Sequence, residues 1–246
     1  MTRVRIGVIG CGAIAQVQHL PFLSELAEEF EVAVVCDVSP SAAEYAARLF
    51  HVPSQATDYH DVLLCHDGNI EDPDIYLEGF QALREEGRLR CYGISTNKLD
   101  VLKRFNHAGG CKVVQVDYSL VAREPEAEFL PYCHTQKIAV MVRGPLARGL
   151  LSGRYTRAST FDDDIRSAYN EGGAERATFE KRMDSVDRLR ELVEPDDMIQ
   201  TSLQYVISHP SLPVAIPGAK SVEQATANAA AGDDELSEAE LERLRV

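Results

Sequence analysis

No stretch of this 246-residue sequence approaches the run of about 20 apolar residues that a bilayer span requires. Nor does a long apolar segment precede a small-residue cleavage site near the N-terminus, so the expectation is a soluble cytoplasmic protein. Cysteine pairs are lacking too. The six cysteines, at 11, 36, 65, 91, 111 and 133, form no C-x-x-C. Cys11, Cys36, Cys65 and Cys91 fall in apolar runs that read as strands, which points to buried free thiols in a reducing compartment. Positive charge is scarce, with 25 Lys and Arg against 39 Asp and Glu and a net charge of −14. That balance argues against nucleic acid or an anionic membrane as the main partner. The acids gather at 162–164, 196–197 and 233–235, where solvated loops and helix starts are expected. No internal repeat and no low-complexity linker interrupts the chain.

What is present is a large apolar share, 45%, enough for one large domain or two small ones. Residues 4–9 form a short apolar run ending in Gly10-Cys11-Gly12, a buried strand and a tight turn. A helix is predicted over 13–30, kinked at Pro21. Residues 32–36 read as a second strand closed by Asp37. Ser39 then caps a helix with Pro40 at its first position, running to Phe50; residues 51–59 read as irregular. From residue 62 strands and helices alternate. Strands are predicted at 62–65, 90–94, 113–118, 139–143 and 214–216. Helices are predicted at 75–86, 100–107, 126–136, 176–192, 198–208 and 222–230, with a last one behind Ser237, where Glu240 completes a capping box. Such alternation implies an α/β fold of parallel βα units with right-handed crossovers. The expected form is a single parallel sheet curled toward a barrel. The long segment 146–173, with glycines at 149, 153, 172 and 173, reads as a lid or binding loop.

Gly10-Cys11-Gly12-Ala13-Ile14-Ala15 fits G-x-G-x-x-A between strand and helix. The first glycine permits the turn, and the second lets backbone approach a pyrophosphate. Ala15 packs helix on strand, and the helix N-terminus attracts phosphate. Asp37, at the end of the next strand, is placed to accept a ribose 2′-OH. A glycine turn kept only for packing is the competing reading. Residues 4–61 resemble the start of the glucose–fructose oxidoreductase/inositol dehydrogenase family. The carriers are the run Ile6–Ala15, His19-Leu20-Pro21 and Asp37. The resemblance implies NAD or NADP binding and sugar or polyol chemistry. The family's Glu-Lys-Pro motif and its second domain with acid/base residues are not found; no lysine occurs before Lys98.

From about Asp61 the sequence is similar to another family, the aldo-keto reductases. The carriers are residues 61–67, 79–90, Tyr92-Gly93-Ile94-Ser95, Val114-Gln115-Val116-Asp117-Tyr118, 143–153, 216–221, Gln224 and Asn228. This resemblance implies a (β/α)8 barrel with NADPH at the C-terminal ends of its strands. The match begins at what would be the fourth barrel strand. The tyrosine, lysine and aspartate that such enzymes use as a proton relay come from the first three strands and have no counterpart here. Only His66 matches a catalytic position, and a lone strand-end histidine is also an ordinary structural residue. Tyr45 and Tyr59 have no accompanying lysine, and a neutral tyrosine without a nearby cation is a poor proton donor at pH 7. By resemblance Ser95, Asn97 and Gln115 lie near the nicotinamide carboxamide. Arg143 stands where many relatives stack a tyrosine on the nicotinamide, and Gly144 where many have a serine. Lys220 and Ser221 would hold a 2′-phosphate, with Gln224 and Asn228 near the adenine. An ordinary hydrogen bond at a barrel rim is the alternative for each.

The sequence therefore reads as a Rossmann-like βαβα segment, 1–60, joined to a partial barrel, 61–246, with seven strands where closure takes eight. A natural fusion with an internal deletion, an engineered chimera and a gene-model artefact are all compatible with it. Two functions are carried forward: a weak NAD(P)(H)-dependent oxidoreductase of small carbonyl or sugar-like substrates, and a non-catalytic nucleotide-binding or scaffold protein. Asp37 would favour NAD at the glycine turn, while Lys220 and Ser221 would favour NADP at the barrel site; NADP(H) at the barrel site is expected. No metal is expected. Unpaired strand edges would favour a homo-oligomer.

Overall fold

A computed structural model describes residues 4–9, 11, 15–16, 20–28, 30–37, 39–56 and 62–245. Gly10 and Gly12 lie outside the described residues, as does the junction at 57–61. The chain divides into two compact units. One holds residues 1–63, 74–92 and 219–225, the other 64–73, 93–218 and 226–246.

In the first unit, β1 (Val4–Ile9) pairs in parallel with β2 (Phe30–Cys36), with a register shift between Ile6 and Gly7. On the far edge of β2, Val35 and Cys36 pair with Gln55 and Ala56 of β3 (Gln55–Ala56). This strand lies inside the segment read as irregular, because two residues carry no period of their own. The described helix α1 is Leu20–Glu25, and residues 26–28 form a turn. Of the helix predicted over 13–30, residues 13–14, 17–19 and 29 lie outside the described residues, and the described helix ends at Glu25, with Phe30 already in β2. Helix α2 (Pro40–Leu49) opens as the sequence predicts: the Ser39 side chain accepts from the Ala42 N–H, and Pro40 is the first helical residue. Cys11, Ala15, Leu20, Val35, Ala46 and Val52 form the small core, with Val32 and Phe50 packed against it. In α3 (Asp74–Glu85) the buried Phe80 stacks on Tyr92 with ring centroids 5.1 Å apart.

A five-stranded sheet follows the sequence order: β4 (Val62–Cys65), β5 (Cys91–Ser95), β6 (Cys111–Asp117), β7 (Ala139–Arg143) and β8 (Val214–Ala215). Among the described residues the strands thus form two sheets, not the single sheet expected. Alternating βα units fix the parallel sense of a connection, but they do not require each strand to hydrogen-bond to the one before it. The remaining helices are α4 (Leu99–Phe105), α5 (Phe129–Gln136), α6 (Arg176–Leu189), α7 (Met198–Ile207), α8 (Val222–Ala230) and α9 (Glu238–Arg243). The last begins with the predicted capping box of Ser237 and Glu240. Strands β5 and β6 approach so closely that a Cβ on Gly93 would lie 1.9 Å from the Val113 carbonyl oxygen, and only glycine fits.

Tyr118, Phe105, Leu130, Leu150, Tyr169, Phe179 and Met183 are fully buried in the second unit. The segment read as a lid is closely packed. It contains 3-10 turns at Ala147–Ser152 and Ser167–Tyr169. Arg166 lies over the rings of Tyr155 and Phe161, 5.0 Å from each centroid, and pairs with Asp163 at 2.7 Å. None of the six cysteines forms a disulfide; five are buried and Cys91 is partly so. Among the described residues no helix is long and apolar enough to cross a membrane.

Candidate functional site at the strand ends

Strands β5, β6 and β7 end in Ser95, Asp117 and Arg143. In parallel strands the carboxyl ends share one side, so polar residues at these ends collect there. Ser95 Oγ donates to Gln115 Oε1 at 3.2 Å, which leaves Gln115 Nε2 without a partner among the described residues. Asn97 Oδ1 accepts from the Asp117 N–H at 2.9 Å and from Arg143 Nη2 at 3.1 Å. The Asp117 carboxylate faces two cations: Oδ2 lies 3.9 Å from Arg143 Nη1 and 3.5 Å from Arg182 Nη2, on α6. Arg182 also donates to the Tyr169 hydroxyl at 3.2 Å.

The turn after β7 is shaped by left-handed backbone. Gly144 has φ +65, and a Cβ there would come within 2.8 Å of Asp117 Oδ1. Ala147 and Arg148 also have positive φ, 49 and 57, which non-glycine residues rarely adopt. Arg148 is secured by two hydrogen bonds to Glu175, at 2.8 and 3.4 Å, and lies over the Tyr169 ring. His66 directly follows β4, is exposed, and has no hydrogen-bond partner among the described residues. Thr96, next to Ser95, is buried and bonds the Gly68 carbonyl at 2.9 Å.

A second group lies at the start of α8. The Lys220 N–H donates to Gln224 Oε1 at 2.8 Å, and the Gln224 N–H to Ser221 Oγ at 3.3 Å. The Ser221 hydroxyl in turn bonds the Glu223 carboxylate and holds it below the usual carboxylate range. The Lys220 side chain is exposed. Asn228 Nδ2 donates to the Gly218 carbonyl at 3.4 Å. Asp37 is engaged by its own surroundings: Oδ1 accepts from the Ser39 N–H at 2.8 Å and Oδ2 from the Cys11 N–H at 2.7 Å. These two bonds, that from Ser39 first, hold its carboxyl below the usual range. Burial pushes the Cys11 thiol up.

Of the residues singled out from the sequence, Ser95, Asn97, Gln115 and Arg143 thus come together in one group. Lys220, Ser221 and Gln224 form another. Asp37 binds its own loop, and Gly10 and Gly12 lie outside the described residues. Sequence reasoning gave no role to Asp117, Arg182 or Glu223. For Asp117 a signal exists, since it stands two residues after Gln115 and so on the same strand face.

The model of the aldo/keto reductase family matches residues 53–245. The chain belongs to the aldo/keto reductase family. A second family model, the oxidoreductase family with an NAD-binding Rossmann fold, matches residues 4–77, so the two matches overlap at 53–77. Among curated relatives, the uncharacterized oxidoreductase YqkF of Bacillus subtilis is 32% identical over 77% of this chain and 60% of its own length. The NADH-specific methylglyoxal reductase of Escherichia coli is 29% identical over 66% of this chain and 50% of its own. The chain therefore spans about half to three fifths of the curated relatives it matches. Among solved structures, the apo form of the aldo-keto reductase AKR11C1 from Bacillus halodurans superposes with a TM-score of 0.65 at 25% identity, covering 98% of this chain and 80% of that one. An aldo/keto reductase from Klebsiella pneumoniae, solved with NADP and acetate, gives 0.54 at 27% identity, covering 98% and 78%. All five strand-end polar residues, Ser95, Asn97, Gln115, Asp117 and Arg143, fall within the segment matched by the aldo/keto reductase family.

Proposed function

We propose that this chain binds a nicotinamide dinucleotide at the carboxyl ends of β5, β6 and β7 and acts as a weak NAD(P)(H)-dependent oxidoreductase on small carbonyl or sugar-like substrates. The observation that carries this reading is the Ser95–Gln115 pair, in which the serine hydroxyl fixes the amide oxygen and leaves Nε2 to donate. A carboxamide offers the oxygen that such a donor needs. Beside it, the Arg143 guanidinium is 43% exposed and anchored at Nη2, so it presents a planar cation against which an aromatic ring can lie. These residues fit a nicotinamide ring and its carboxamide. The cofactor, when bound, supplies or accepts hydride. The chain's own part is to orient the ring through Ser95, Gln115 and Arg143, and to move a proton at His66.

We infer weak turnover from the sequence. No lysine precedes Lys98 to make a tyrosine acidic, and positioned acid–base groups contribute about 10²–10⁴-fold to rate. The exposed His66, with no hydrogen-bond partner among the described residues, equally supports a second reading, a non-catalytic nucleotide-binding or scaffold protein. Saturable, carbonyl-dependent oxidation of NADPH separates the two. The first reading expects slow turnover that His66→Ala removes; turnover at the level of full-length relatives, or none at any enzyme concentration, would overturn it.

For the cofactor we propose NADP(H), with NAD(H) as the alternative. The exposed Lys220 ammonium offers charge to a 2′-phosphate, whereas the Glu223 carboxylate bonded to Ser221 works against it. Support also comes from the Klebsiella relative solved with NADP, and counter-support from the Escherichia coli relative named as NADH-specific. The same reading puts the protein in the cytoplasm, acting on a small molecule.

A further inference from the structure

We propose that Asp117, backed by Arg182, is the positioning residue that fixes the Arg143 guanidinium over the strand-end site; this rests on the assignment of the cofactor to that site. Four observations converge on it. In the β6–β7 register Asp117 is the direct partner of Arg143, so both side chains leave adjacent strands at the same level. Asp117 Oδ2 lies 3.9 Å from Arg143 Nη1, while Asn97 Oδ1 holds Nη2 at 3.1 Å, so the guanidinium is tethered at both of its ends. The same Asn97 oxygen accepts the Asp117 N–H at 2.9 Å, which ties the two tethers to one another. Arg182, only 14% exposed, approaches Asp117 from α6 at 3.5 Å and is itself braced on the Tyr169 hydroxyl.

The turn that follows is adapted to this arrangement. Gly144 leaves room for the Asp117 carboxylate, because any Cβ at that position would stand 2.8 Å from Oδ1. An arginine side chain has many rotamers, and an untethered one would have to be ordered whenever a ring stacked on it. With Asp117 and Asn97 in place that ordering is already present in the folded chain. The guanidinium then acts as a preset plate, and Asp117 contributes to ring binding without touching the ring. Arg182 matters because it holds the Asp117 carboxylate from a second side, so the carboxylate keeps its orientation while Arg143 is partly exposed to water.

Two readouts test this, one of which needs no cofactor. The first is the rate at which phenylglyoxal modifies Arg143 in the free protein, followed by peptide mass mapping. Asp117→Asn keeps the size of the side chain and removes its charge, and should raise that rate about two- to fivefold, the range a partly exposed ion pair supports. Arg182→Gln should raise it less. Arginines on other elements, such as Arg157 with its two aspartates, should react as in the unaltered protein. The second readout is binding of NADPH against 2′-phospho-ADP-ribose, which lacks the nicotinamide ring. Asp117→Asn should weaken NADPH about two- to fivefold and leave the truncated ligand unchanged. Unchanged Arg143 reactivity in Asp117→Asn overturns the proposal, as does equal weakening of both ligands. If the unaltered protein binds neither ligand, the cofactor assignment fails, and the Arg143 reactivity then judges the tether alone.

Discussion

Two strand ends in this chain handle a carboxylate in opposite ways. At the end of β2, Asp37 directs both oxygens at backbone N–H groups, those of Ser39 and Cys11, and so holds together the loops around it. At the end of β6, Asp117 faces side chains, those of Arg143 and Arg182, on a neighbouring strand and a helix. A carboxylate bonded to backbone stabilises its own loop and changes little when a ligand arrives. One bonded to long, partly exposed side chains sets the pose of groups that can meet a ligand. On the proposed reading the binding role lies in the second region, whereas both oxygens of Asp37 in the first are already bonded to backbone N–H groups.

The largest effect is expected in the scaffold that carries the second carboxylate. Gly93→Ala would drive a Cβ into the Val113 carbonyl, and overpacking of this kind typically costs about 1–3 kcal/mol and sometimes more. We expect a Tm well below that of the unaltered protein, or loss of soluble material. A Tm within a degree of the original would show that β5 and β6 do not lie as closely as described. Next in size is the cofactor contact. Losing one charge-assisted hydrogen bond to a phosphate removes about 1.5–3 kcal/mol, so Lys220→Ala should weaken NADPH roughly tenfold or more and scarcely alter NADH. Glu223→Gln should move NADPH affinity the other way. Equal losses for both nucleotides would place Lys220 outside the phosphate contact.

A pH measurement sharpens the structural half of the contrast. Because the folded Asp37 carboxyl sits below its ordinary value, its contribution to stability is present in full above the unfolded pKa of 3.8 and is lost as pH falls through the lower folded value. Urea midpoints of Asp37→Asn should therefore depend less on pH below about 4 than those of the unaltered protein. Parallel pH profiles would mean that the two backbone bonds do not form. The smallest effect concerns Gly79, an exposed residue inside α3 with open space where a Cβ would stand. Gly79→Ala should stabilise by about 0.5–1 kcal/mol with no change in nucleotide binding.

Much of this architecture was legible because its chemistry is local. The Ser39 cap, Pro40 at the first helical position and the Ser237–Glu240 box lie within a few residues of one another, and each begins its helix where the sequence puts it. Helix α8 spans the predicted 222–230 for the same reason: Lys220 to Gln224 closes the turn before it. Strand β3 was not legible, because its two residues are chosen by pairing with Val35 and Cys36 and not by any pattern of their own. The site was half legible. Ser95, Asn97, Gln115 and Arg143 stood out by resemblance, and Asp117 could have been found from its alternation with Gln115. Arg182 could not, since 65 residues separate it from Asp117 and only the packing of α6 brings them together.

We propose that a nicotinamide dinucleotide binds at the ends of β5, β6 and β7 and not at the glycine turn. Calorimetric titration of NADPH into Arg143→Ala and Asp37→Ala tests it directly. Arg143→Ala should weaken binding about tenfold, as loss of a cation–ring contact of about 1–2 kcal/mol would, while Asp37→Ala should bind like the unaltered protein. Abolished binding in Asp37→Ala together with intact binding in Arg143→Ala would put the cofactor at the glycine turn and contradict it.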